Sequence, residues 1–261
     1  MALSQFSRAT AAARQILSDY CLEKAADGPI EALAMAMNVF VKQDRLDGAA
    51  AMLTWRRDSG IVTVNTNTVE RGRRMFAVAH ELGHFRLHKD KSAGFACTDE
   101  MFMAWYKGST LEPEANAFAA ELLMPESSFR RVGAGHKPSR DLFQHICDHF
   151  QTSLTASCFR YVETECYPCA LFVAVDGKLK WVVKSRDLAH YKIRPIGQIL
   201  DNGSCAGEFF ETGRTDELEP QQVLTSTWFS EFPRELEFVH ELPFCTPRLN
   251  MTVSLVWPQQ G

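Results

Sequence analysis

His80-Glu81-Leu82-Gly83-His84 constrains this chain more than any other stretch. Two histidines four residues apart share one face of a helix, and the glutamate beside the first can reach toward whatever the two imidazoles hold. The flanking residues agree with a helix from Thr68 to His88, with Val69, Phe76, Val78, Ala79, Leu82 and Phe85 on its apolar side and Thr68 as its cap. Gly83 costs about 1 kcal/mol against alanine in a helix interior, so its place between the histidines predicts the close approach of another segment. The pattern implies metal-assisted peptide hydrolysis. Five residues alone also match by chance, as ordinary surface or core histidines, so the surroundings must decide.

A third ligand is the first requirement. The metzincin continuation needs a histidine six residues beyond the second motif histidine, where this chain has Asp90, which excludes that branch. The gluzincin alternative takes a glutamate from a second helix, and Glu112 to Pro125 (EPEANAFAAELLMP) reads as one. Ser109 or Thr110 can cap it, Pro113 is tolerated in its first turn and Pro125 marks its end. Glu112 and Asn116, four apart, offer a carboxylate and an orienting amide on one face. Glu114 competes for the role, but it projects roughly 200° around the helix from Glu112. The Asn116 pairing favours Glu112.

Arg74-x-Phe76-x-x-Ala79-His80-Glu81-Leu82-Gly83-His84-x-x-x-His88, followed by Glu112-x-Glu114-Ala115-Asn116-x-Phe118-Ala119-Ala120-x-Leu122-Leu123-Met124-Pro125, resembles the ImmA/IrrE family of bacterial zinc metallopeptidases. The resemblance covers about residues 49 to 125, with a weaker echo to about 162. It implies a gluzincin-like fold, Zn²⁺ held by His80, His84 and Glu112, and Glu81 as general base. It further implies a helix-turn-helix transcriptional repressor as substrate, cleaved commonly after DNA damage to release mobile-element, repair or defence genes. His88 also matches and is read as a structural or supporting residue, because three protein ligands already suffice for a catalytic zinc.

Composition narrows the rest. At 261 residues and 46% hydrophobic content, the chain can bury a sizeable core in one to three compact units. A net charge of −4 gives no general attraction to nucleic acid or acidic membranes. No run approaches the roughly 18 apolar residues of a membrane span, and residues 1 to 20 lack a signal-peptide core. A cytoplasmic protein without membrane partners is the expectation, and its eight cysteines then read as reduced thiols.

The expected architecture is α+β in three segments: a gluzincin-like zinc metallopeptidase domain over 1–130, a helical connecting module over 131–165, and an α+β sensor or regulatory domain over 166–261. The first has helices near Ser7 to Leu22 and Pro29 to Val41. A hairpin then pairs Ala49 to Arg56 with Ile61 to Asn65 across Asp58-Ser59-Gly60. In zincin-like folds such a strand lies beside the metal and can add a substrate strand through main-chain hydrogen bonds. The boundary at Arg131 to Ser139 is rich in breakers. Helices at Ser139 to Phe150 and Ser153 to Val162 have helix-turn-helix-like spacing. From Glu126 to Glu165, however, five basic residues meet five acidic ones, so the module lacks the basic footprint of a duplex reader.

Within the last segment, Ala170 to Val175 and Lys178 to Val183 flank Asp176-Gly177, a strong hairpin signal, and further β-prone runs at Val223 to Phe229 and Leu249 to Trp257 complete an antiparallel sheet. Lys178, Lys180, Lys184, Arg186, Lys192 and Arg194, interleaved with Trp181 and Tyr191, suit single-stranded nucleic acid or a small anionic ligand as activator, against the plainer reading of a solvated sheet face. Relatives carry a GAF-like domain at this place, which supports a sensor. Cys166-Tyr167-Pro168-Cys169 is a lone CxxC, with Cys205 and Cys245 as residues that folding could bring to it.

Cys97 stands apart, because its segment, Lys91 to Phe102, must pass near the motif helix on the way to Glu112. A thiolate there would make an inhibitory fourth zinc ligand in a resting state; a packed free cysteine is the alternative. Tyr106 and His136 are transition-state stabilisers by residue type alone. Two function classes follow: a zinc endopeptidase that cuts a helix-turn-helix repressor, and a non-catalytic, metal-stabilised module that contacts DNA or a transcription factor. Glu81 favours the first, since a structural metal site has no use for a carboxylate beside an open position.

Overall fold

The computed structural model describes residues 6–90, 94–98, 111–215 and 219–259. The chain forms two compact units, Met1–Phe129 with Ile146–Ser153, and Arg130–His145 with Leu154–Gly261. The helices expected as a connecting module over 131–165 are divided between these units.

The first unit contains α1 (Ser7–Asp19), α2 (Ile30–Ala36), β1 (Val39–Asp44), β2 (Ala51–Arg56), β3 (Ser59–Asn65), α3 (Arg71–His88), β4 (Gly94–Cys97) and α4 (Leu111–Leu123). The helix expected from Pro29 to Val41 stops at Ala36: Asn38 takes a left-handed φ of 61°, and Val39-Phe40-Val41, stiff at χ1 and suited to a pleated surface, begins a strand. The sheet runs β1-β3-β2-β4. β1 is parallel to β3, whereas β2 is antiparallel to both β3 and β4. The hairpin turn is Arg57-Asp58 instead of the expected Asp58-Ser59-Gly60, since Arg56 pairs directly with Ser59 and Arg57 carries the left-handed φ of 56°. The motif helix begins at Arg71, three residues later than expected, because the Thr68 N–H is bound to the Asn65 carbonyl. The caps assigned to Ser109 and Thr110, and Tyr106 with them, lie outside the described residues.

α3 packs against α4, and Gly83 is the reason they come so close. A Cβ on Gly83 would stand 3.1 Å from the Phe118 ring and 3.2 Å from the Ala115 Cα and carbonyl oxygen. That contact is the neighbour implied by a glycine in the middle of the motif. Gly83→Ala gains about 1 kcal/mol in helix propensity but overpacks the interface at a cost of about 1–3 kcal/mol. Thermal unfolding of the metal-free variant is expected a few degrees below the parent, about 2–4 °C for each net kcal/mol; an unchanged or raised midpoint would show that the helices separate freely.

The helices α5 (Glu126–Gly133) and α6 (Arg140–Phe150) each have residues in both units. The second unit continues with α7 (Leu154–Glu163), β5 (Ala170–Val175), β6 (Lys178–Lys184), β7 (Lys192–Ile193), α8 (Cys205–Thr212), β8 (Gln221–Leu224), α9 (Thr225–Trp228), β9 (Phe229–Glu231), β10 (Phe238–Thr246) and β11 (Met251–Pro258). An antiparallel sheet in the order β6-β5-β11-β10-β8 forms its centre. Asp176 and Gly177 turn the β5–β6 hairpin with φ of 52° and 70°, as a tight two-residue connection requires. The run expected as one strand from Val223 to Phe229 is β8, one turn of helix and β9. β10, an inner strand between β11 and β8, carries Pro243 within it, which hides it from a reading by sequence pattern. Its Glu241 is fully buried yet satisfied, accepting N–H bonds from Cys205 and Ala206 at the α8 N-terminus and further bonds from Trp228 and Ser254.

Candidate active site

α3 is buried along most of its length, so the polar residues of the motif are enclosed: His80, Glu81, His84 and His88 are each 0% exposed. Such groups must find partners or be desolvated without compensation. His80 Nδ1 lies 2.8 Å from Asn116 Oδ1, so its proton is on Nδ1 and the Nε2 lone pair faces the site. His88 Nε2 lies 2.7 Å from the Glu114 carboxylate, to which it donates, which leaves the His88 Nδ1 as acceptor. His84 Nδ1 lies 3.0 Å from that atom and donates to it, so the His84 Nε2 lone pair also turns inward.

The two inward nitrogens are 3.0 Å apart. Glu112 adds its carboxylate, with Oε2 3.2 Å from His80 Nε2 and Oε1 3.4 Å from His84 Nε2. Donor atoms of His80, His84, Cys97 and Glu112 all lie within 4.8 Å of one another. Lone pairs facing each other at these separations repel unless a cation or proton sits among them. The two glutamates of α4 are therefore separated by the structure: Glu112 joins the histidine nitrogens, while Glu114 orients His84 through His88.

Electrostatics mark the same place. Burial pushes the Glu81 carboxyl up to about 7, although His80 and the Cys97 thiol beside it act in the other direction. Both Glu81 oxygens are buried and make no hydrogen bond of ordinary geometry to a described residue. Burial also lowers the His84 imidazole to about 4, keeping it neutral and able to act as a ligand. Burial raises Glu112, but a proton among the His80 and His84 Nε2 atoms, in the place a cation would take, hydrogen-bonds and attracts the carboxylate and holds it below the usual carboxylate range. For Cys97, burial and then the Glu81 and Glu112 charges push the thiol above its ordinary value.

The remaining expectations separate. Two nitrogens, a carboxylate and an orphaned glutamate fit a metal of zinc's preferences, with His80, His84 and Glu112 as the residues that would hold it. Cys97 is also in the group. His136 lies in the second unit, where its carbonyl accepts the Tyr161 hydroxyl. Among the described residues, no other three metal-ligating side chains converge, so Cys166, Cys169, Cys205 and Cys245 form no such group, and the eight cysteines are not joined in disulfides. In the basic stretch, Trp181 packs on Phe159 and Tyr191 is buried against Phe229. Arg186 pairs with Glu165 and Lys192 with Glu231, while Lys184 and Arg194 bind backbone carbonyls. No helix of the described residues is long and apolar enough to cross a membrane.

Two helices that bring His, His and a carboxylate together around a buried glutamate define a metallopeptidase-like domain. Residues 34–161 match the family model of the IrrE N-terminal-like domain, Peptidase_M78. Over these residues the chain is similar to the ImmA/IrrE family. Among solved structures, a Mycobacterium tuberculosis transcriptional regulator is similar in fold, with a TM-score of 0.61 at 14% identity over 96% of this chain and 88% of that one. No curated protein sequence matches.

Proposed function

We propose that this chain is a zinc endopeptidase that cleaves a helix-turn-helix transcriptional repressor and so releases stress, mobile-element or defence genes, with DNA damage as the triggering condition. The observation that carries the hydrolytic part is Glu81: a fully buried carboxylate whose oxygens make no hydrogen bond of ordinary geometry to a described residue, beside the ligand-type group His80, His84, Cys97 and Glu112. A purely structural site has no role for such a group. The family match supports metallopeptidase chemistry, and the similarity to a transcriptional regulator supports a role connected with transcription.

In this reading His80, His84 and Glu112 hold the metal, and Asn116 and the Glu114–His88 pair fix the imidazole tautomers. A zinc ion supplies Lewis-acid activation of water and of the scissile carbonyl when bound. Glu81 takes the proton of the attacking water and returns it to the departing amine nitrogen, a task that its burial beside the ligand group suits. The peptide adds as a strand beside the sheet, held by main-chain bonds. The second unit serves as the sensor, with single-stranded DNA or a small anion as activator and a cytoplasmic setting for the whole protein. Within the basic stretch, Lys178 and Lys180 are the residues of this role that make no side-chain contact described above.

The test is incubation of the zinc-loaded protein with the helix-turn-helix repressor encoded nearest to it, with and without single-stranded DNA. Two fragments whose masses sum to the repressor plus one water are expected, abolished by a chelator and restored by zinc. A repressor left intact in every condition at full zinc occupancy would reject the proposal.

A further inference from the structure

A peptide cannot reach His80, Glu81 or His84 as they stand, since each is 0% exposed. Part of what encloses them is β4. This strand lies at the end of the sheet and pairs antiparallel with β2, in the register Ala51 with Cys97, Met52 with Ala96, Leu53 with Phe95 and Thr54 with Gly94. It therefore takes up the edge of β2 to which an incoming peptide would add. Alternation along a strand sends Phe95 and Cys97 to the same face, opposite to Ala96. On that face Phe95 stacks on His84 with centroids 3.9 Å apart and planes 19° from parallel, and Cys97 is buried with its sulfur within 4.8 Å of the His80, His84 and Glu112 donors. The Glu81 carboxylate, fully buried with no hydrogen bond of ordinary geometry from a described residue, is a second sign that this space is built for a ligand, and the Cys97 thiol lies beside it.

We propose that Gly94–Cys97 is an internal stand-in for substrate: β4 occupies the substrate strand's place on β2 and delivers Cys97 as a fourth metal donor, so that the site rests closed until β4 leaves. This rests on the metallopeptidase reading above and adds its regulation. On coordination the thiol proton leaves to solvent, and sulfur takes one up again on release, so no oxidant or reductant is needed. Closure withdraws the open position and the β2 edge together. The short strand is suited to the task, since its few main-chain bonds to β2 are ones that a peptide can replace.

The experiment uses the full chain with Co²⁺ in place of zinc, alongside the Cys97→Ser and Phe95→Pro variants. Sulfur coordination gives a near-ultraviolet charge-transfer band, expected in the parent and absent from Cys97→Ser at equal metal content. Phe95→Pro removes the main-chain donor of β4 that lies opposite Leu53 and the ring stacked on His84, and is expected to speed hydrogen exchange of the Ala51 and Leu53 amides while lowering the sulfur band. If about one parent molecule in ten is open at rest, both variants raise unstimulated repressor cleavage about tenfold when zinc-loaded. A parent without the sulfur band, cleaving no more slowly than either variant, would overturn the proposal and leave the peptidase reading intact. A Cys97-dependent band with no cleavage by any variant would support the coordination by Cys97 and overturn the peptidase reading instead, marking a closed structural site.

Discussion

Replacing Glu112 by alanine in a Cys97→Ser chain, where no thiol can substitute, is expected to give a protein that loses zinc on gel filtration. His80→Ala in the same background should behave alike, since each removes one of three donors that converge in the fold. Glu114→Ala provides the contrast. Its carboxylate is bound to His88 Nε2 at 2.7 Å and reaches the site only through the His88–His84 contact of 3.0 Å. Loss of such an orienting partner weakens metal binding by about 10–100-fold without abolishing it. Isothermal titration with zinc measures both effects. If Glu114→Ala lost the metal while Glu112→Ala kept it, the assignment of the two carboxylates would be reversed.

Glu81→Gln should keep one zinc per chain and lose turnover. Glutamine preserves the shape of the side chain and removes its capacity to take a proton, and a positioned general base contributes on the order of 10²–10⁴-fold. Both Glu81 oxygens are buried and make no hydrogen bond of ordinary geometry to a described residue, so the substitution disturbs little beyond the neighbouring Cys97 thiol. The expected signature is thus a fall in kcat at unchanged zinc affinity, read by single-turnover cleavage of the repressor at matched metal content. Full activity in a zinc-loaded Glu81→Gln protein would falsify the mechanism. A variant that failed to bind zinc would point to Glu81 as a ligand.

These residues were largely legible before folding. The motif spacing placed His80, Glu81 and His84 on one helix. The four-residue spacing of Glu112 and Asn116 anticipated the geometry in which one faces His80 Nε2 and the other His80 Nδ1. His88 was recognisable as a supporting residue, but its pairing with Glu114 joins two helices and no local pattern encodes it. β1 was hidden because the helical run Ile30–Ala36 passes into Val39–Asp44 with little punctuation, and the strand's partner, β3, is distant in sequence. β4 was missed for a related reason: four residues give too little alternation to announce a strand, and only its pairing with β2 shows that Phe95 and Cys97 share a face. The basic stretch misled in the opposite direction, since spacing cannot reveal that Tyr191 turns into the core.

The most direct measurement is an anomalous difference map at the zinc edge from crystals of the purified chain. One strong peak is expected among His80 Nε2, His84 Nε2 and the Glu112 carboxylate, at about 2.0–2.1 Å from each nitrogen. Crystals with zinc elsewhere, for example on Cys166 and Cys169, and no density among these three side chains would contradict the account.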